Sequence, residues 1–190
     1  MKYIIFNKPY GVLSQFTDEG TGHSTLKRFI EVTGVYAAGR LDRDSEGLLL
    51  LTDDGALIKR LTDPGHRLEK TYLVLVEGTP TQDALAKLEN GVPLKGYTTR
   101  PARVRLIPDP GLPPRPRPVT PHGPTAWLEL KVREGKKRQI RHMTAAVGLF
   151  TLRLFRSAIG EIRLGDLPVG KWRELTPAEV ERLYGSAVQE

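Results

Sequence analysis

The densest group of side chains able to do chemistry is Gly39-Arg40-Leu41-Asp42-Arg43-Asp44-Ser45-Glu46-Gly47, which is followed at once by four leucines. Carboxylates in a loop between apolar segments can act as nucleophile or base, or can hold a cation. Asp42, Asp44 and Glu46 alternate, Gly47 is the sixth residue and Asp53 the twelfth, which imitates a calcium loop. The imitation fails. Leu48 to Leu51 replace the hydrated half of such a loop, the flanks read as strands, and Arg43 stands among the supposed ligands. What remains is a carboxylate site or a loop that only caps and salt-bridges locally.

A second group, Arg133-Glu134-Gly135-Lys136-Lys137-Arg138-Gln139-Ile140-Arg141-His142-Met143, packs five Lys and Arg side chains into nine residues. On a helix Arg138, Arg141 and His142 share a face, while Ile140 and Met143 turn inward. The bland reading is a solvated charge run. Only Glu134 offers compensation, however, and Gln139 adds an amide suited to RNA, so a phosphate-gripping face is the more economical reading. A third segment places Lys70 and Tyr72 on one face of a strand. Tyr72 either fills the core or offers a ring to an unpaired base.

The elements that must position these groups follow from pattern. Lys2 to Phe6 and Val12 to Phe16 read as an opening hairpin around Asn7-Lys8-Pro9-Tyr10-Gly11. A helix is expected after Ser24-Thr25, with Gly34 to stop it, and strands at Tyr36 to Leu41 and Leu48 to Leu51 flank the polar loop. Leu57, Ile58 and Leu61 suit a short helix, Lys70 to Glu77 a strand, and Thr81 to Asn90 a helix ended by Gly91. Eight of the seventeen residues from Pro108 to Pro124 are proline, which excludes ladder and helix and leaves an exposed loop carrying Arg115 and Arg117. Trp127 to Val132 reads as strand, Lys137 to Val147 as helix and Leu149 to Phe155 as strand. Thr176-Pro177-Ala178-Glu179 is a capping box that opens a terminal helix. Strands and helices mix without a βαβ rhythm, so the class is α+β with a largely antiparallel mixed sheet flanked by helices.

Composition bounds the rest. A chain of 190 residues with 39% hydrophobic content fits one domain, or two small lobes sharing one sheet. The absence of cysteine removes disulfides and thiolate chemistry and favours a reducing cytoplasm. The four histidines, His23, His66, His122 and His142, show no ligand spacing, so no metal is expected. Nor does the N-terminus read as a signal peptide or a membrane span. A net charge of +7 favours a polyanionic partner. Two asparagines and four glutamines are few, as where thermolabile groups are avoided.

Five segments in this order resemble the pseudouridine synthase family whose bacterial members modify small-subunit and large-subunit ribosomal RNA. They are Asn7-Lys8-Pro9-x-Gly11, Gly39-Arg40-Leu41-Asp42-x-Asp44-Ser45-x-Gly47-Leu48, Lys70-x-Tyr72, Glu134-Gly135-x-x-Arg138-Gln139-Ile140-Arg141 and Leu154-x-Arg156-x-x-Ile159-Gly160. Within the family the likeness is greatest to the short large-subunit enzymes. The resemblance implies the family fold with a central RNA-binding cleft, no cofactor, and isomerisation of a flipped uridine. It makes Asp42 the essential carboxylate, sets Tyr72 against the target base, pairs Arg141 with Asp42 and packs Leu154 beneath the site. Three departures stand out: His142 where relatives often carry arginine, a long proline-rich loop, and no small RNA-binding domain before the catalytic region. Recognition is then expected from Lys8, Arg40, Arg43, Lys70, Lys136, Lys137, Arg138 and Arg156, with Arg115 and Arg117, acting in a monomer on a large-subunit RNA stem-loop. The rivals are a non-catalytic RNA-binding or ribosome-assembly protein, for which the carboxylate loop is surplus, and a metal-dependent nuclease using Asp42, Asp44 and Glu46.

Overall fold

In the computed structural model, which describes residues 1–66 and 68–185, the elements in chain order are β1 (Tyr3–Lys8), β2 (Tyr36–Ala37), β3 (Glu46–Thr52), α1 (Gly55–Thr62), β4 (Lys70–Glu77), α2 (Gln82–Asn90), β5 (Pro93–Leu94), β6 (Tyr97–Thr98), β7 (Arg103–Ile107), β8 (Thr125–Val132), α3 (Gln139–Ala146), β9 (Phe150–Ile159), β10 (Ile162–Arg163), β11 (Trp172–Glu174) and α4 (Pro177–Gly185). The class is α+β with a mostly antiparallel sheet. Two compact units divide the chain: residues 1–68 with 156–190, and residues 69–155. Residues 150–155 of β9 belong to the second unit and residues 156–159 to the first.

In the first unit β1 lies between β11 and β3, antiparallel to both, and β2 runs antiparallel to β3. Ile4, Ile5 and Phe6 and Leu48 to Leu51 are all buried, although successive residues point to opposite faces. Both faces of these strands are therefore covered, which explains an apolar run without alternation. Phe29 packs on Phe6 with ring centroids 5.6 Å apart. Asp54 caps α1 by accepting from the amides of Ala56 and Leu57, and α1 buries Leu57 and Leu61. The capping box of α4 is present in both directions: the Glu179 amide donates to Thr176 Oγ1 at 3.2 Å, and the Thr176 amide to Glu179 Oε2 at 2.9 Å.

In the second unit β8 pairs with β4 and β7, antiparallel to each. Here alternation is plain. Tyr72, Val74 and Val76 are buried opposite Leu130, Leu128 and Ala126, whereas Leu73, Leu75, Trp127, Glu129 and Lys131 stand half-exposed on the other face. Each fully buried aliphatic side chain contributes about 2 kcal/mol, which makes the covered face the stabilising one. Thr81 Oγ1 accepts from the Ala84 amide to cap α2.

Several expected elements differ. Val12 to Phe16 is not a strand, because β1 already has a neighbour on each edge. Its backbone instead bonds across to a loop, from the Leu13 amide to Ser24 O and from the Leu26 amide to Gln15 O, both at 2.9 Å. The helix after Ser24-Thr25 shrinks to one 3-10 turn at Leu26–Arg28, and the strand at Tyr36 to two residues. α3 starts at Gln139, so Arg138 lies outside it as N-cap in the left-handed region at φ 53° and shares no helical face with Arg141 and His142. The segment from Pro108 to Pro124 contains neither helix nor strand. Arg115 does not project from it: its Nε donates to Arg117 O at 2.6 Å and its Nη2 to Leu152 O at 3.3 Å. Arg117 is exposed.

Candidate active site

The polar loop is fixed from below by the segment that failed to become a strand. Ser14 Oγ donates to Leu41 O at 2.7 Å and accepts from the Leu41 amide at 3.1 Å. The Gly11 amide donates to Arg43 O at 2.8 Å, and the Ser45 amide to Asp42 O at 3.0 Å. The backbone is thus held at Leu41, Asp42 and Arg43, while the Asp42 side chain is half-buried rather than sealed. Preorganisation of this kind keeps a reacting carboxylate in place at no cost during the reaction.

Gly47 closes the loop. Its φ of +99° belongs to the region that L side chains avoid, and a Cβ there would strike the Arg156 carbonyl oxygen and lie 2.9 Å from its amide nitrogen. Only glycine lets residues 156–159 approach β3 this closely. Arg156 is itself buried, and its Nε donates to Leu48 O at 2.8 Å.

Lys8 is the largest correction to the expected RNA contacts. It has no exposed surface, and its ammonium donates to Val12 O at 2.7 Å, Pro9 O at 3.0 Å and Arg43 O at 3.4 Å. Burial pulls its pKa down to about 7, against the opposing pull of Glu46, Asp44 and Asp42. It ties the opening turn to the acidic loop and cannot reach a phosphate. Arg156, 3% exposed, is removed from direct RNA contact for the same reason. Arg40 and Arg43 are exposed; Arg40 Nη2 donates to Gln15 Oε1 at 2.7 Å, and Arg43 Nη1 lies 3.2 Å from His23 Nδ1.

In the second unit Tyr72 is 8% exposed on β4 and Leu154 5% exposed on β9. Lys70, on the face of Tyr72, reaches the basic segment, its Nζ lying 3.9 Å from where a Gly135 Cβ would stand. Gln139 is no surface reader of RNA. It is buried, donates through Nε2 to Glu134 Oε1 at 2.6 Å and accepts from the Lys136 amide at 3.1 Å, while Glu134 also takes the Arg100 amide at 2.7 Å. Glu134 therefore shapes the basic turn. Lys136 and Lys137 are exposed, with Lys136 Nζ 3.6 Å from the Tyr97 ring centroid, and Arg138 and Arg141 are half-exposed. The left-handed φ of Arg138 costs about 1–2 kcal/mol in a residue with a Cβ.

Sequence reasoning missed Ser14 and Tyr97. Nothing in the type of Ser14 points to Leu41, and only the fold brings the Lys136 ammonium, thirty-nine residues on, over the Tyr97 ring. Among the described residues no three His, Cys, Asp or Glu side chains gather as a metal site, and no helix is long and apolar enough to cross a membrane.

Residues 2–146 match the RNA pseudouridylate synthase family model. The chain is 53% identical over 177 residues to ribosomal large subunit pseudouridine synthase E of Vibrio vulnificus, covering 92% of this chain and 75% of that one. It is 57% identical over 168 residues to the protein of the same name from Xanthomonas axonopodis pv. citri, covering 86% and 88%. A crystal structure of a pseudouridylate synthase superposes with a TM-score of 0.81 at 32% identity, covering 96% of this chain and 73% of that one. Sequence and fold agree, and the chain belongs to the RNA pseudouridylate synthase family.

Proposed function

We propose that this chain converts a uridine of large-subunit ribosomal RNA into pseudouridine, acting as a monomer in a reducing cytoplasm, with Asp42 as the catalytic carboxylate. The observation that carries the reading is the loop of Asp42, tied at three successive backbone positions while Asp42 itself is only half-buried. The reaction breaks the bond from ribose C1′ to uracil N1, turns the base, joins C1′ to C5, and moves the C5 proton away while N1 gains one. Atoms and electrons balance within the nucleotide, so no cofactor is called for. Asp42 serves as nucleophile or as base toward the ribose, and for either role it must be ionised.

Tyr72 bears on the withdrawn uracil, Leu154 packs beneath it, and Arg141 steadies the ionised carboxylate. Arg40, Arg43, Lys70, Lys136, Lys137 and Arg138 grip the phosphates of a stem-loop. The sequence similarity to large-subunit enzymes supports the choice of RNA. Asp42→Asn keeps the shape and removes the charge; it should abolish isomerisation and leave RNA affinity within about threefold, since phosphate contacts dominate binding. Wild-type turnover in that variant overturns the assignment. Site-resolved mapping on protein-free large-subunit, small-subunit and transfer RNA tests the substrate, and a dominant site outside the large-subunit RNA would refute it.

A further inference from the structure

Arg40 and Arg43 flank Asp42, and each meets a side chain from one neighbouring loop, residues 13–26. Arg40 Nη2 donates to Gln15 Oε1 at 2.7 Å, and Arg43 Nη1 lies 3.2 Å from His23 Nδ1. A guanidinium has no acceptor, so the ring nitrogen must accept, which makes His23 the neutral imidazole with its proton on Nε2. Both partners are therefore uncharged. Elsewhere on the surface arginines are fixed by carboxylates: Arg103 by Glu69, Arg105 by Glu129 and Arg173 by Glu179. A carboxylate fixes a guanidinium and cancels its charge, whereas an amide oxygen or an imidazole nitrogen fixes it and leaves the whole charge for a phosphate.

The loop holds its own shape. The Leu13 amide donates to Ser24 O and the Leu26 amide to Gln15 O, both at 2.9 Å, which closes its base. Asp18 turns the tip by accepting from the Gly20 amide at 3.1 Å and the Gly22 amide at 3.2 Å. Thr21 Oγ1 donates to Asp18 O at 2.8 Å and accepts from the His23 amide at 3.3 Å. Glu19 sits in that turn at a left-handed φ of 53°, a conformation the bonds around it sustain. Gln15 is aimed as well as placed: its Nε2 donates to Thr17 O at 2.7 Å, so the amide oxygen is the end left for Arg40.

Each bond occupies one of the five N–H donors of its arginine; four remain, and both arginines are exposed. Arginine has among the largest rotamer entropies of any side chain, and one already held loses less of it when a phosphate arrives. Ser14 and Gln15 are adjacent yet divide the work. Ser14 is buried and fixes the backbone at Leu41, whereas Gln15 fixes a guanidinium at the surface.

We propose that Gln15 and His23 are positioning residues for RNA, which hold Arg40 and Arg43 ready for phosphates beside the uridine that meets Asp42. The inference rests on the reading that these two arginines grip phosphate, and it assigns the loop to affinity rather than to the chemical step.

Filter binding of protein-free large-subunit ribosomal RNA gives Kd, and single turnover at saturating RNA gives the rate of the bound complex. Gln15→Leu and His23→Ala should each raise Kd about fivefold, the weight of one hydrogen bond to a charged group, and change the saturated rate by less than about twofold. His23→Asn keeps an uncharged acceptor and should return Kd to the wild-type value. With Arg40→Ala already present Gln15→Leu should add nothing, and with Arg43→Ala present it should keep its full effect; His23→Ala should show the mirror pattern. A loop that merely loses its shape breaks this pattern, so an equal weakening by Gln15→Leu in the Arg40→Ala background would overturn the proposal. A fall in the saturated rate at unchanged Kd, or a wild-type Kd in both Gln15→Leu and His23→Ala, would overturn it too. Wild-type Kd in Arg40→Ala and in Arg43→Ala would sink the phosphate reading itself, and the inference with it.

Discussion

Ser14 closes both backbone groups of Leu41 with one hydroxyl, donating to its carbonyl at 2.7 Å and accepting from its amide at 3.1 Å. Leu41 lies twenty-seven positions from Ser14 and immediately before Asp42, so the setting of the carboxylate depends on a side chain distant in sequence. In Ser14→Ala both groups lose a buried partner, at a cost of about 1–3 kcal/mol. The expected outcome is a fall in kcat of about tenfold with RNA affinity unchanged, because geometry is lost and charge is not. Single-turnover kinetics beside a binding isotherm measure the two separately, and an equal loss in both would assign Ser14 to RNA contact.

Lys8 should show the same division for a different reason. Lys8→Met keeps the length of the side chain and removes its donors to Pro9, Val12 and Arg43. Its kcat should fall while the slope of binding against log salt stays that of the wild type, since a side chain with no exposed surface neutralises no phosphate. A slope reduced by about one would return Lys8 to the RNA-binding surface.

The same burial sets a stability profile. With a folded pKa of about 7 against the ordinary 10.5, the folded state holds fewer protons at this site between those values than the unfolded state does. Stability from this group therefore rises with pH across that window, and is flat below and above it. The difference between wild-type and Lys8→Met unfolding free energies, taken by urea titration from pH 6 to about 10, isolates the group. An unchanged difference across the window would mean that Lys8 is protonated throughout.

Exposed cations should behave in the opposite way. Lys136→Gln and Lys137→Gln should each lower the salt slope of RNA binding by about one, and Lys136→Gln also gives up the contact of its ammonium with the Tyr97 ring. Filter binding at several salt concentrations measures this. A wild-type slope in both variants would place the RNA elsewhere.

Asp54 is expected to govern acid unfolding of the first unit. It accepts from the Ala56 and Leu57 amides at 3.1 Å each, from Tyr3 OH at 2.9 Å and from the phenol of Tyr184. The Tyr184 phenol, then the Leu57 amide, the Tyr3 phenol and the Ala56 amide hold its carboxyl below the ordinary range, against the push of burial. A depressed carboxyl contributes stability above its unfolded pKa and loses it as pH falls through the folded value. Asp54→Ala should cost about 3 kcal/mol near neutrality, from one cap and two phenol partners, and should flatten the acid limb of a thermal melt series. An acid limb like that of the wild type would shift the dependence to another carboxylate.

How far the sequence could be read depended on whether the signal was local. β4 appears where Lys70 to Glu77 predicted it, and the capping box of Thr176 and Glu179 closes as its spacing implies, because propensity and capping act within a few residues. The opening hairpin failed because the neighbours of β1 come from residues 46–52 and 172–174, and nothing in Val12 to Phe16 announces them. Lys8 was misread for a related reason: a lysine after an apolar strand ordinarily reaches solvent, and only the fold surrounds this one with carbonyls. Arg138 slipped out of its helix through a single backbone angle that no side-chain pattern encodes.

The placing of β1 between β3 and β11 carries a consequence for the nascent chain. Residues 69–155 form an uninterrupted stretch and have all their strands as soon as they emerge, whereas the unit around Asp42 lacks residues 156–159 beside Gly47 and β11 beside β1 until the whole second unit has been made first. The carboxylate loop is made early and completed late. Translation order thus separates the making of the loop from its completion by the full length of the second unit.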